Sequence, residues 1–156
     1  LEDEITTLTL YLNLEALRFD GKFKHEIHVA QDVDAYDVEL PSMIIQPFAE
    51  NAIWHGLMPK YDGTPTLTIN FKRDDENLIC EIIDNGVGRE AAAKVSKKNL
   101  SEHQSTGISN TVKRLDLMSK RENKKARVEF VDLKEGDKAI GTKVIVRIPF
   151  LEFEEE

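Results

Sequence analysis

The spacing of apolar residues changes period several times along the chain, and each change marks an element. Over residues 1–19 the period is helical, with Leu8, Leu12, Glu15 and Phe19 on one stripe and Leu10, Leu14 and Leu17 on another. A helix with two stripes has one face for its own domain and one for a partner helix. FDG (19–21) ends it, and HEIHVA (25–30) alternates as a strand does. Pro41 suits the first turn of a second helix running through His55, with Gly56 as its stop. TLTINF (66–71) and LICEII (78–83), joined by DDEN, predict a hairpin. REAAAKVSKKN (89–99) permits a helix, and NLSEHQST (99–106) is polar and irregular like a loop. GISNTVKRLDLMSK (107–120) predicts a helix with Ile108, Val112, Leu115 and Met118 inward. RVEFVDL, the turn KEGDK and GTKVIVRIPF form a second hairpin, and LEFEEE (151–156) is an acidic tail expected to fray. The order α, β, α, β, β, loop, α, β, β gives an α+β fold, a two-layer α/β sandwich. Its mixed, mostly antiparallel sheet has the helices on one face.

One stretch breaks its own pattern. IIQPFAENAIWHG (44–56) places Ile45, Phe48, Ala52 and His55 at helical spacing, yet Pro47 falls within it. Inside a helix a proline removes a hydrogen bond and clashes with the preceding turn, at a cost of about 3 kcal/mol. Asn51 is also a poor interior residue, because its amide competes for backbone groups. Such a local conflict marks a site or a cap.

Composition narrows the class. A chain of 156 residues supports one core. With 21 Lys and Arg against 29 Asp and Glu, the net charge of −8 disfavours nucleic acid and anionic membrane as general partners. Any bound phosphate needs a local site. Cys80 is the one cysteine, so no internal disulfide forms, and its apolar neighbours predict a buried thiol in a reducing compartment. No apolar run reaches about 18 residues and no signal peptide stands at the start, so the expectation is a soluble cytoplasmic domain.

Four stretches remain: ENAIWHG (50–56), DNGVG (84–88), STGISNTVKRL (105–115) and GTKV (141–144). Singly, each has a plain reading. DNG is turn chemistry, Gly107 is helix punctuation, GTKV is a strand start, and His55 is a helix-terminal residue. No returning strand follows DNGVG closely, however, and a glycine opening a helix also lets backbone amides approach a phosphate.

Together the four stretches resemble the N, G1, G2 and G3 boxes of the GHKL ATPase superfamily. QPFAENAIWHG, SNTVKRL and the upstream YLNLEALRF are similar to the LytS/YehU-like sensor histidine kinases within it. The resemblance implies a C-terminal helix of a dimerisation and phosphoacceptor region at 1–20, an ATP-binding catalytic domain at 21–150, and a tail at 151–156. It implies ATP and Mg²⁺ as cofactors, with Asn51 as the metal ligand. Glu50, Asn51 and His55 are the candidate catalytic set. Asp84, Gly86, Gly88, Thr106, Gly107, Ile108, Asn110, Arg114 and Thr142 are the candidate nucleotide-binding residues, with Lys113 a further phosphate neighbour. In this scheme the Asp84 carboxylate accepts the adenine amino group, Thr142 completes the adenine pocket, and Thr106, Gly107 and Ile108 offer amides to the phosphates. Residues 89–106 would be the lid over the nucleotide.

Departures from the family pattern refine the expectation. Ser105 stands where the family has the first glycine of GxG. Pro47 stands four residues before Asn51, where the ATP-hydrolysing members carry a glutamate base, and Glu50 points about 100° away from Asn51 on a helix. A site with metal and phosphate positioning but no base for water suits transfer to another nucleophile. The implied reaction is transfer of the ATP γ-phosphoryl group to a histidine. None of His25, His28, His55 and His103 has the surroundings of the family's acceptor, so that histidine is expected outside this chain. The implied partners are the phosphoacceptor domain of the same kinase, a second copy of it in a homodimer, and a response regulator. A membrane enters only through upstream segments. Two rivals are an anti-sigma-type serine kinase and a non-catalytic scaffold with a degenerate pocket.

Overall fold

A computed structural model describes residues 1–96, 103–122 and 125–150, with backbone alone at 95–96, 103–106 and 119–122. Four helices, α1 (Glu2–Arg18), α2 (Gln46–Asn51), α3 (Arg89–Ser96) and α4 (His103–Glu122), accompany a π-helical turn, Ala52–Leu57, that continues α2. Five strands follow the expected positions: β1 (Lys24–Val29), β2 (Thr66–Arg73), β3 (Asn77–Asp84), β4 (Arg127–Glu135) and β5 (Lys138–Pro149). They form one sheet in the order β1-β2-β3-β5-β4. β1 pairs parallel to β2 and every other pair is antiparallel. The expected two-layer α+β sandwich is what forms, with both hairpins in place.

The register explains where the core sits. Phe71, Cys80 and Val146 lie side by side across β2, β3 and β5, and Ile69, Ile82 and Val144 form the next row. All six are buried beneath Phe48, Ile53, Leu57 and Leu115 of the helical layer. The opposite face of the sheet mixes polar residues with Ile79, Ile83 and Ile145, and there Glu81 bridges Lys72 and Lys143 at 2.8 and 2.7 Å. Cys80 is the expected buried thiol, and burial raises its pKa well above the ordinary value.

α1 divides its two stripes as its spacing predicts. Leu8 and Leu12 are in the core, whereas Leu10, Leu14 and Leu17 are exposed. Buried Glu4 on the inner side has a structural task. Its two carboxylate oxygens accept the amides of Met43 and Ile45 at 2.7 Å each, fixing the chain just before α2.

Four expectations need correction. Residues 41–45 are turns, so Pro41 does not open a helix; α2 begins at Gln46. Pro47 therefore lies in its first turn, where a missing N–H costs nothing, and it is not an interior break. The interruption falls one residue past Asn51, where the helix widens and Met58 N–H reaches back five residues to Ile53 O at 2.8 Å. Gly56 is inside this turn and does not end it. Finally, α4 starts at His103 rather than Gly107, so the end of the expected loop is helical. The rest of that loop at 99–102, residues 97–98 at the end of the helix-permissive stretch, and the tail at 151–156 lie outside the described residues.

Candidate functional site

The inward rows of the sheet turn polar at one end. Leu78, Cys80 and Ile82 alternate into the core, and the next inward position of β3 is Asp84. Across the sheet it pairs with Leu67 on one side and Thr142 on the other. A buried carboxylate at the end of an apolar row requires donors. Gly86 N–H supplies one at 2.8 Å to Asp84 Oδ1, and the Thr142 amide supplies another. Desolvation still dominates and lifts the Asp84 pKa from 3.8 to about 6, against the pull of those two amides and the charge of Lys60.

Glycines let the backbone crowd this carboxylate. A Cβ on Gly86 would lie 2.3 Å from the Gly56 carbonyl carbon and oxygen, and a Cβ on Gly56 would lie 2.8 Å from Asp84 Oδ1. Gly141, at φ +152°, passes so close to the Asp84 carbonyl that a Cβ would meet it at 2.0 Å. The Gly56 carbonyl also accepts Val87 N–H at 3.0 Å. The end of the π-helical turn is thus locked onto the DNGVG loop.

Asp84 opens into a cavity of about 510 Å³ walled by Phe48, Asn51, His55, Gly88, Ile108 and Thr142, together with residues of α3, β4 and β5. Next to it, a smaller hollow of about 140 Å³ lies among Pro47, Glu50, Asn51, Trp54, His55, Gly107 and Ile108. Asn51 and His55 line both. A base-sized chamber with a carboxylate at its inner wall therefore adjoins a polar recess with an amide and an imidazole.

Of the residues singled out from sequence, Asn51, His55, Asp84, Gly88, Ile108 and Thr142 line the larger cavity, and Glu50 and Gly107 the smaller one. Gly86 sits beneath Asp84 against Gly56. Glu50 also accepts a hydrogen bond from Gln46 Nε2 at 3.0 Å. Asn110, Lys113 and Arg114 are exposed and line neither cavity; Arg114 donates to the Ser42 carbonyl at 2.9 Å and so ties α4 to the segment before α2. Gly107 lies past the first turn of α4, and the Thr106 side chain is outside the described residues.

The cavity also has walls that the motif reading missed. Phe130 lines it from β4, and Arg89 from the start of α3. The Arg89 guanidinium lies 5.5 Å from the Phe130 ring centroid and makes a two-pronged ion pair with Asp132 at 2.8 and 2.9 Å. The alternation of Val128, Phe130 and Asp132 in β4 was the available signal, since it puts all three on one side of the strand.

The residues present suit a Mg²⁺-nucleotide. Asn51 offers a hard oxygen at the polar recess, and among the described residues no group of three His, Cys, Asp or Glu forms a metal cage. A cation held largely by substrate phosphates needs only one or two protein oxygens.

Known proteins resemble the chain in sequence and in fold. No family model matches the chain. The sensor protein LytS of Oceanobacillus iheyensis is 34% identical over 109 residues, covering 69% of this chain and 18% of that protein. The sensor histidine kinase BtsS of Escherichia coli is 35% identical over 85 residues, covering 54% of this chain and 15% of its own length. The chain thus spans less than a fifth of the length of these two curated relatives. Among solved structures, the histidine kinase ThkA in complex with the response regulator TrrA aligns at a TM-score of 0.62 and 13% identity, over 97% of this chain and 40% of that one. The ThkA catalytic domain alone aligns at 0.61 and 11% identity, over 96% and 92%. Among the described residues no helix is long and apolar enough to cross a membrane. By sequence the chain is a relative of the LytS and BtsS sensor histidine kinases, and its fold is the one that solved histidine kinase catalytic domains share.

Proposed function

We propose that this chain is the ATP-binding catalytic domain of a two-component sensor histidine kinase, which places the γ-phosphoryl group of Mg²⁺-ATP for transfer to a histidine outside this chain. The observation that carries the reading is the shared cavity: Asp84 and Asn51, from a strand end and a helix end, line one chamber. Ionised Asp84 accepts the adenine amino group, and Thr142 at the same rung completes the polar edge of the base pocket. Phe48, Ile108 and Phe130 exclude water from the base. Asn51 holds Mg²⁺ through its amide oxygen, and His55 faces the phosphates from the same helix. When bound, the metal neutralises charge on the transferring phosphoryl group. Pro47 has no titratable group to activate water, and Glu50, which lines the recess, accepts Gln46 Nε2 with one of its carboxylate oxygens.

The 1–20 helix is read as the end of a dimerisation and phosphoacceptor region, and its exposed Leu10, Leu14 and Leu17 suit a partner helix in a homodimer. A response regulator would receive the phosphoryl group, by analogy with the ThkA–TrrA complex. The full-length protein would present this domain to the cytoplasm from a membrane anchor upstream.

Calorimetric titration with Mg²⁺-ATP tests the reading. Binding is expected in the parent, loss of binding in Asp84→Ala, and loss of the Mg²⁺ requirement in Asn51→Ala. A parent chain that binds no nucleotide would make the domain a scaffold, and rapid ATP hydrolysis would count against a kinase.

A further inference from the structure

The contact between α1 and the π-helical turn has no part in the mechanism above. It centres on Trp54, the single tryptophan of the chain, which is half-buried. Trp54 walls the 140 Å³ hollow beside Asn51, His55 and Ile108. It also meets the last turn of α1 and the residue after it. The Phe19 ring lies edge-on at 5.4 Å between centroids and 76°, and the Arg18 guanidinium is 5.0 Å from the Trp54 ring centroid. Arg18 in turn stands 3.7 Å from Glu15 Oε1, on a side chain that is only 12% exposed and whose other oxygen meets no donor among the described residues. Phe19 continues to Phe23 at 6.4 Å, just ahead of β1.

We propose that Trp54 is a positioning residue through which the C-terminal end of α1 sets the shape of the phosphate end of the nucleotide site. This rests on the nucleotide-binding reading and deepens it. An indole is rigid, and this one is packed by α1 while forming a cavity wall. If the end of α1 shifts, the ring must follow it or lose the Phe19 and Arg18 contacts. Asn51 and Trp54 line the same hollow, so movement of the ring alters the space beside the Asn51 amide. The adenine end is held separately, by the rung of Leu67, Asp84 and Thr142, which has no contact with α1 among those described above. The coupling is therefore selective for phosphates. It is also reciprocal: filling the phosphate hollow biases the α1 contact by the same factor.

Two α1-side variants test this. Arg18→Gln removes the cation over the indole at a residue whose side chain is 61% exposed and keeps an amide donor on the Glu15 side, and urea unfolding checks that the variant folds as the parent does. Phe19→Leu removes the edge-on ring without altering charge, which separates packing from direct attraction of Arg18 for phosphate. The chain is titrated with Mg²⁺-ATP and, separately, with adenosine, by calorimetry and by Trp54 fluorescence. Each variant is expected to weaken Mg²⁺-ATP about three- to tenfold, the worth of one aromatic or cation–π contact. Adenosine affinity should stay within about twofold, and Trp54 emission in the free protein should shift to the red. Unchanged Mg²⁺-ATP affinity in both variants, despite an emission shift, would overturn the proposal. Equal weakening of both ligands would also overturn it, since that marks general loosening. A parent that binds neither ligand refutes the nucleotide reading itself, a result visible before any variant is made.

Discussion

Asp84→Asn separates the stability of the site from its chemistry. Burial holds the Asp84 carboxyl at a pKa of about 6 in the folded chain, against an ordinary value of 3.8. That difference of about two pH units, at about 1.4 kcal/mol each, makes ionisation cost the folded state about 3 kcal/mol. The sign follows from proton counts. Between about pH 4 and 6 the unfolded chain has released the Asp84 proton while the folded chain retains it. The unfolded state then binds fewer protons, so stability falls as pH rises through this window, and the full loss is present above it. Asparagine cannot ionise and removes that slope. Its carbonyl oxygen can still accept Gly86 N–H, but its amino group faces the donating amide of Thr142, an opposition worth about 1–2 kcal/mol.

The net expectation is a change of sign with pH. Near pH 4 the variant is less stable than the parent by about 1–2 kcal/mol, and at pH 8 it is more stable by a similar amount. For a chain of this length that is a rise of roughly 2–8 °C in midpoint at pH 8. Thermal and urea unfolding at four pH values would show the crossing, and titration with adenosine on the same samples should show no binding by the variant. Parent affinity for adenosine should itself fall as pH drops below about 6, because the protonated carboxyl no longer offers two acceptor oxygens. A stability difference that ignores pH would refute burial as the cause of the raised pKa. Retained adenosine binding in Asp84→Asn would refute the role given to the carboxylate.

Three further substitutions probe the frame around the site. Glu4→Ala leaves the amides of Met43 and Ile45 without their carboxylate and should cost about 3 kcal/mol or more in urea unfolding. Gly86→Ala forces a methyl to 2.3 Å from the Gly56 carbonyl; it should lower stability by about 3 kcal/mol and abolish nucleotide binding in calorimetry. Arg89→Ala breaks an ion pair whose members are 50% and 42% exposed, so its unfolding cost should stay below about 1 kcal/mol and vanish in high salt.

The hairpins were legible because alternation and turn residues are local. The same holds for the two stripes of α1, whose separation into Leu8 and Leu12 inside and Leu10, Leu14 and Leu17 outside is written in helical spacing. Asn51, His55, Asp84 and Thr142, which line the cavity, came from three separated stretches read together. What local pattern could not reveal depends on long-range partners. Glu4 reads as an acidic first-turn residue, and nothing near it in sequence announces amides about forty positions away. Pro47 reads as a break only if the helix starts at Pro41; with Glu4 holding Met43 and Ile45 in turns, the helix starts later and the proline is harmless. Arg114 is a nucleotide-binding candidate through the family resemblance, and no nearby residue announces that its guanidinium donates to the Ser42 carbonyl in this structure.

The local conflict in IIQPFAENAIWHG therefore has a different cause from a proline kink. A regular helix continued past Asn51 would return one stripe to the core at each turn, and the wider π-helical turn interrupts that return. Ala52, Ile53, Gly56 and Leu57 are buried, while Trp54 and His55 are left half-buried at the cavity. Gly56 then falls where a side chain would strike Asp84, so its missing Cβ lets the helix end press against the strand end. The two halves of the site are joined by that contact, the helical half carrying Asn51 and the strand half carrying Asp84. Widened turns of this kind are weaker in hydrogen bonding than an α-helix and are concentrated at functional sites. Here the turn lets one short segment contact the core, the carboxylate and α1 at once.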